Sequence, residues 1–335
     1  MPTMAIQTNY AKFNWFPSGL PVYLNLVPAI LQLVVVQSNI FVVAVFLGKK
    51  MYFGINVILI GMAIADAASV TLLMVSYWFA LVLYNHSSGS FTENQVHFLC
   101  VTYKYGTSVS ITFNMVSIWL MVCLGVVKFL LVRFPLQAKN MLTTGRLLFA
   151  TFLVYVTAIL FTFPHYVTDN YDMSAKIYYG KPKDQDIFYC AIRRKKEDDF
   201  VMYLENDDRL VRSICVHLIP IVVLLCTNSF FCYKLVRKNG IVDPSPKFLR
   251  SVKIVCALTV IYLLTEIPFT IFFCLQYYVG VTENPISFHV TNVFYITFTL
   301  YVLRFLNYLS NFWVYLVLNK KFRQACCSMF CRRRI

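Results

Sequence analysis

Long apolar runs alternate with short polar segments along the whole chain. A helix needs about 20 apolar residues to cross the hydrocarbon core of a bilayer, and a helix satisfies every backbone polar group inside lipid. The pattern therefore predicts an all-α membrane protein, a seven-transmembrane helix bundle. Its spans, numbered 1 to 7, run approximately 24–47, 55–83, 98–131, 147–168, 211–236, 251–279 and 288–318.

The composition agrees with a membrane protein. The chain is 59% hydrophobic and only 13% charged, with a mean hydropathy of +0.65, whereas soluble domains average about 45–50% apolar and about 25% charged residues. The first run lacks a basic region before it and a small-residue cleavage site after it. It is therefore interpreted as an uncleaved span and not as a signal peptide.

The distribution of charge predicts the orientation. The loops after spans 1, 3 and 5, the C-terminal tail and the adjoining span ends with Lys128, Lys234 and Lys253 together hold 18 Lys and Arg but one acid, Asp243, while the opposite side holds 11 basic and 12 acidic residues. Short loops rich in Lys and Arg stay in the cytoplasm. We expect an extracellular N-terminus (1–23), a transmembrane domain (24–318) and a cytoplasmic tail (319–335) in the plasma membrane. The net charge of +15 is thus a topology signal and not a sign of nucleic-acid binding.

Two of the eleven cysteines, Cys100 and Cys190, fall on the outer side, where disulfides form. We expect a disulfide between them, the alternative being two free thiols. Cys190 lies in the outer segment 169–210, which carries ten acids and eight bases and is either a structured lid or a solvated loop. Asn85-His86-Ser87 on the outer side is a glycosylation sequon, with Asn85 as the acceptor.

The tail after span 7 is basic with periodic apolar positions. Phe322, Ala325 or Cys326, and Met329 or Phe330 recur at helical spacing between Lys and Arg, which predicts a short amphipathic helix on the anionic inner leaflet of the membrane lipid. The alternative is a plain basic tail. The palmitoylation candidates are Cys326, Cys327 and Cys331.

Three ionisable residues lie well inside the spans, and such residues indicate function. Asp66 in span 2 is expected near Ser117 of span 3 and near Asn307 and Asn311, which are four residues apart on one face of span 7. This polar core is either a site for a small cation, a structural sodium ion, or a hydrogen-bonded cluster without an ion. No other cofactor and no metal site is expected.

The other two buried charges are Glu266 in span 6 and Arg304 in span 7. Pro268 should kink span 6, because proline removes a backbone donor and clashes with the preceding turn. We expect Glu266 and Arg304 to form a buried ion pair, since pairing relieves the cost of two buried charges. Alternatively, Arg304 faces a carboxylate or carbonyl group of a ligand.

Taken in order, these features resemble the rhodopsin-like (class A) G-protein-coupled receptors. They include the seven spans, the outer cysteine pair, Asn39, Asp66, Pro220, Pro268 and the segment NFWVY at 311–315. The segments SIWLMVCLGVVKFLLVRFP (117–135) and LLTEIPF (263–269) are similar to nematode receptors of the FMRFamide and myosuppressin receptor-like group. That resemblance implies a short amidated neuropeptide as ligand and a heterotrimeric G protein as partner.

The resemblance also implies which residues couple to the G protein. Val127, Lys128 and Phe129 occupy the positions of the family's acid-arginine-tyrosine triplet, Arg133 follows them, and Tyr315 matches the family's tyrosine in span 7. Lysine lacks the planar fork of arginine. Either Val127 frees the cation and raises basal activity, or Lys128 weakens coupling.

The ligand is expected between spans 3, 5, 6 and 7. Most candidates are aromatic, and the alternative for each is packing. They are Tyr105, Phe113, His217, Phe272, Gln276, Phe298 and Tyr301. Segment 105–127 contains no acid, which argues against a monoamine as ligand.

Three functions remain open at this point. The first is a receptor that binds an extracellular neuropeptide and activates a G protein through movement of span 6. The second is a nematode chemosensory receptor for a small environmental molecule. The third, a transporter or channel, has no inverted repeat with paired broken helices to support it. No nucleophile motif, metal-spaced His and Cys set or Gly-rich phosphate loop indicates an enzyme.

Overall fold

The computed structural model describes residues 22–86, 93–168, 173–175, 190–192, 211, 213–236, 246–282 and 290–330. A π-helical segment, Ser213–Leu218, continues directly into α6. The helices are α1 Val22–Gly48, α2 Asn56–His86, α3 Glu93–Arg133, α4 Pro135–Met141, α5 Thr144–Thr168, α6 Ile219–Val236, α7 Pro246–Thr282, α8 Val290–Leu318 and α9 Lys320–Phe330.

The predicted seven-helix bundle is confirmed. Spans 1, 2, 3 and 4 are α1, α2, α3 and α5, span 5 is the π-helical segment with α6, and spans 6 and 7 are α7 and α8. Within the described residues, α1, α2, α3, α5 and the span-5 helix each hold a stretch long and apolar enough to cross a membrane, and α7 holds a shorter one, Cys256–Phe272. Several helices extend beyond the predicted spans, because backbone hydrogen bonding continues past the apolar segment that hydropathy detects.

Part of the segment 169–210, which is predicted to be extracellular, is structured. Strand β1, Met173–Ala175, pairs antiparallel with β2, Cys190–Ile192, so that Ala175 lies opposite Cys190. Strand β1 also contacts α3. This contact supports the lid interpretation over the solvated loop.

Helices α2, α3 and α5 approach closely at Gly61. A Cβ atom at this position would lie 2.9 Å from Cγ2 of Thr151 on α5 and 3.1 Å from Cδ1 of Leu120 on α3. The hydroxyl of Tyr155 donates a hydrogen bond of 2.7 Å to the backbone carbonyl of Gly61. The absence of a side chain at Gly61 therefore permits the close contact of the three helices.

The predicted amphipathic helix of the tail is confirmed as α9. Phe322 is fully buried, and its ring lies 5.5 Å from that of Phe46 and 6.0 Å from that of Tyr315. Lys320, Lys321 and Arg323 are exposed on the other face. The alternative of a plain basic tail is wrong, although Met329, expected on the apolar face, is 38% exposed.

Candidate functional site

A polar core lies between α1, α2, α3 and α8. Asp66 is fully buried and accepts a hydrogen bond of 2.5 Å on Oδ2 from Nδ2 of Asn311. Ser117 lies close enough to this carboxylate to interact with it electrostatically. The structure thus brings together three of the four residues predicted here. Asn307 is buried one turn earlier in α8, and its backbone carbonyl accepts a hydrogen bond from Ser310.

The unsatisfied oxygen atoms in and beside this core are suitable ligands for a small hard cation. Asp66 Oδ1, Asn311 Oδ1 and Asn39 Oδ1 are buried oxygen atoms with no hydrogen-bond donor among the described residues. The amide nitrogen of Asn39 bonds instead to the backbone carbonyls of Val35 and Tyr308. Carboxylate and amide oxygens are the ligands that hard cations prefer, so the residues present are compatible with the predicted sodium ion.

The predicted ion pair between Glu266 and Arg304 is wrong. Glu266 Oε2 lies 3.1 Å from Nδ1 of His217, and both side chains are buried. The guanidinium group of Arg304 lies 3.7 Å from the centroid of the Phe269 ring. Arg304 acts on Glu266 only through longer-range electrostatics. The partner of Glu266 comes from the span-5 helix and not from α8, which depends on the rotation of each helix about its axis.

One polar contact across the bundle escaped the sequence analysis. The hydroxyl of Tyr308, one turn after Arg304 in α8, donates a hydrogen bond of 2.9 Å to Oδ1 of Asn114 on α3. Both residues are buried. An amide in the middle of an apolar run was the available signal, because buried polar groups in membrane helices need partners.

The candidate coupling residues occupy the inner end of α3. Val127 is buried, Lys128 is partly buried, and the ring of Phe129 packs edge-on at 4.7 Å against Phe230 of α6. Arg133 is exposed and lies over the ring of Phe134 at 5.1 Å.

The fifth coupling candidate, Tyr315, is placed elsewhere. Its side chain is fully buried between Phe46 of α1 and Phe322 of α9. Its hydroxyl has no hydrogen-bond partner among the described residues. In this arrangement Tyr315 therefore fastens α8 to α1 and α9.

The predicted ligand residues lie in several different environments. Phe113 packs edge-on against Tyr155 of α5 at 6.1 Å between ring centroids. His217 is buried against Glu266, and Tyr105 is 42% exposed. The side chain of Gln276 lies outside the described part of the chain. The partly buried candidates on α7 and α8 are Phe272, Phe298 and Tyr301.

The predicted modification sites are described only in part. The side chains of Cys100, Cys190 and Asn85 lie outside the description, so the disulfide and the glycan stay predictions, as does palmitoylation of Cys331, which lies beyond α9.

Palmitoylation of Cys326 is contradicted by its packing. Cys326 is buried in the main core, whereas Cys327 is exposed. Burial also raises the pKa of the Cys326 thiol, which disfavours the nucleophilic thiolate. Cys327 remains the accessible candidate within α9.

Comparison with known proteins identifies the fold family. The family model described as serpentine type 7TM GPCR chemoreceptor Srw matches residues 26–333. The chain is also 22% identical over 334 residues to the sex peptide receptor of Drosophila melanogaster, an alignment that covers 94% of this chain and 74% of that receptor. The match to the family model extends over all seven spans and α9. The chain therefore belongs to the Srw family of seven-transmembrane G-protein-coupled chemoreceptors.

Proposed function

We propose that this receptor binds a short neuropeptide on the extracellular side and activates a heterotrimeric G protein in the cytoplasm. The observation that carries the proposal is the similarity to the sex peptide receptor along 94% of the chain, because the name of that receptor gives a peptide as its ligand. The resemblance of segments 117–135 and 263–269 to FMRFamide and myosuppressin receptors of the rhodopsin-like class points to the same kind of ligand.

The proposed mechanism is exchange between two arrangements of the helices. The peptide enters beside the β1–β2 lid and reaches the space between α3, the span-5 helix, α7 and α8. It shifts the equilibrium only if it binds the arrangement with an open cytoplasmic side better than the closed one. Pro268 supplies the hinge in α7, since the backbone carbonyl one turn earlier has no amide hydrogen to accept there.

The inner end of α3 supplies the coupling surface in this mechanism. Outward movement of the inner half of α7 opens a cleft beside Lys128 and Phe129, where a helix of the G protein docks through its apolar face. Val127 offers no carboxylate beside Lys128, so the local acid that the receptor family places before this cation is missing here. Separation of Phe129 from Phe230, now 4.7 Å apart, accompanies the opening.

The polar core is proposed to bind sodium in the closed arrangement. Asp66 supplies the negative charge, and the unsatisfied amide oxygens of Asn39 and Asn311 supply neutral ligands. A cation held there favours the arrangement in which these helices are closest, so sodium should lower basal signalling.

A second candidate function is detection of a small environmental molecule. The matched family is one of chemoreceptors, which favours this function. The two candidates share the fold and the G-protein partner and differ in the size and source of the ligand.

One assay tests these proposals. Cells expressing the receptor and a promiscuous G protein are exposed to a peptide library and, in parallel, to a library of small odorants and metabolites. Agonism by peptides alone supports the neuropeptide receptor, and agonism by small molecules alone supports the chemosensory alternative. Replacing sodium in the medium by N-methylglucamine should raise basal signalling of the wild type but not of Asp66→Asn.

The role of Lys128 is tested in the same cells. We expect Lys128→Ala to reduce the maximal agonist response at equal surface expression, because the cleft loses its cation, and Lys128→Arg to preserve or increase it. Arg146→Gln, which changes an exposed cation at the start of α5, is the matched control. Identical responses of Lys128→Ala and wild type would contradict the coupling role.

A further inference from the structure

We infer that Arg304 binds a carboxylate group of the ligand at the inner end of the ligand site. The inference rests on the proposed function, because it assigns a chemical group to the ligand of the same receptor. Arg304 is a cation in the middle of α8, and its expected counter-ion, Glu266, contacts His217 instead.

Arg304 lacks a counter-ion within the described residues. Glu266, which the sequence analysis expected to pair with Arg304, instead contacts Nδ1 of His217 at 3.1 Å. Nε of Arg304 is buried and has no hydrogen-bond acceptor there. A guanidinium group inside a membrane bundle is costly unless it is paired or lines a water-filled cavity, so this position favours binding of an anion.

The contact with Phe269 leaves the required donors in place. The guanidinium carbon lies 3.7 Å from the ring centroid, so the ring covers one face of the planar group. The N–H bonds of a guanidinium lie in its plane and form a fork that matches two carboxylate oxygens. The ring therefore covers one face of the guanidinium, and this contact does not occupy its in-plane N–H donors.

Three partly buried aromatic residues lie on the helices near this cation. Tyr301 and Phe298 precede Arg304 by about one and two turns in α8, and Phe272 follows Glu266 by about two turns in α7. With the predicted orientation, all three lie on the extracellular side of Arg304. A mostly apolar site with one well-placed charge is the usual construction of a ligand pocket.

Two parts of a peptide supply a carboxylate, namely an acidic side chain and a free C-terminus. An amidated peptide has only the first. The experiment therefore separates these sources while it tests Arg304.

The test measures ligand-induced thermal stabilisation of the purified full-length receptor in lipid nanodiscs. The probes are 3-phenylpropionate, N-acetyl-phenylalanine with a free C-terminal carboxylate, and N-acetyl-aspartyl-phenylalaninamide with only a side-chain carboxylate. Each is compared with the same compound in which the carboxylate is replaced by a carboxamide. The variants are Arg304→Gln, Arg304→Lys and the control Arg146→Gln.

We expect the acids, and not their amides, to raise the melting temperature of the wild type and of Arg146→Gln. In Arg304→Gln the dissociation constant of the acids should rise about 10- to 100-fold, since a hydrogen bond to a charged group contributes about 1.5–3 kcal/mol. Arg304→Lys keeps the charge but lacks the planar fork, so its dissociation constant for the acids should lie between those of the wild type and Arg304→Gln. It serves as the test if Arg304→Gln does not fold. The acid that binds more tightly identifies the source of the carboxylate.

Equal stabilisation by acids and amides, an acid effect that persists in Arg304→Gln, or no stabilisation by any acid would overturn the inference. This readout requires no signalling. If acids stabilise the wild type but no peptide activates it, the neuropeptide function is contradicted and the anion site at Arg304 is supported. Neutral peptides that activate wild type and Arg304→Gln equally would do the reverse.

Discussion

At the scale of single residues, the contact of His217 with the buried carboxylate of Glu266 should stabilise the receptor. His217→Phe removes the polar group that contacts a fully buried carboxylate, and leaving a buried polar group without its partner costs about 1–3 kcal/mol, or more for a charged group. We expect surface expression and melting temperature to fall in His217→Phe and to recover in the double variant His217→Phe/Glu266→Gln, which has no charge to pair. Flow cytometry of an N-terminally tagged receptor and thermal unfolding measure both effects.

The charge exchange Glu266→Arg/Arg304→Glu is the control for this assignment. It should not restore the expression that either single variant loses, because Arg304 stacks on Phe269 and does not pair with Glu266. Recovery in the exchanged receptor would show that the two residues pair after all. The sequence analysis found both charges correctly, since an ionisable residue in an apolar run is visible locally, but it assigned Glu266 to the wrong partner.

At the scale of whole helices, Gly61 lies at a position where an added side chain would disturb the packing. Gly61→Ala places a methyl group 2.9 Å from Thr151 and 3.1 Å from Leu120, so α2 must move away from α5 and α3. Overpacking of this kind costs about 1–3 kcal/mol, and we expect a lower melting temperature in nanodiscs. Gly145→Ala on α5, where no atom lies within 4 Å of the new Cβ, is the matched control and should not destabilise the receptor.

Equal melting temperatures for Gly61→Ala and Gly145→Ala would mean that the three helices accommodate a methyl group without cost.

The existence of the long helices was predictable from the sequence, as the agreement of α1, α2, α3 and α5 with spans 1 to 4 shows. The β1–β2 pairing was not, since its strands are three residues each and lie in a charged segment without a periodic pattern. The burial of Cys326 also depended on where α9 docks against α1 and α8.

The orientation of the whole molecule in the membrane remains a prediction from charge. The loops and tail predicted to face the cytoplasm, with the adjoining span ends, hold 18 basic residues against one acid, and short basic loops are retained in the cytoplasm. We expect antibody to label an N-terminal tag on intact cells and a C-terminal tag only after permeabilisation. Labelling of the C-terminal tag on intact cells would reverse the topology and place Lys128 on the wrong side for a G protein.

The amino-acid sequence by itself determined the membrane class, the seven spans and the presence of Asp66, Glu266 and Arg304 within them. These properties depend on the length and polarity of local segments, and lipid leaves a segment of 20 apolar residues few alternatives to a helix. Only the tertiary structure decided which side chains meet: Glu266 with His217, Arg304 with Phe269, and Tyr308 with Asn114. The rotation of each helix about its own axis selects these partners, and that rotation depends on packing against all neighbouring helices at once.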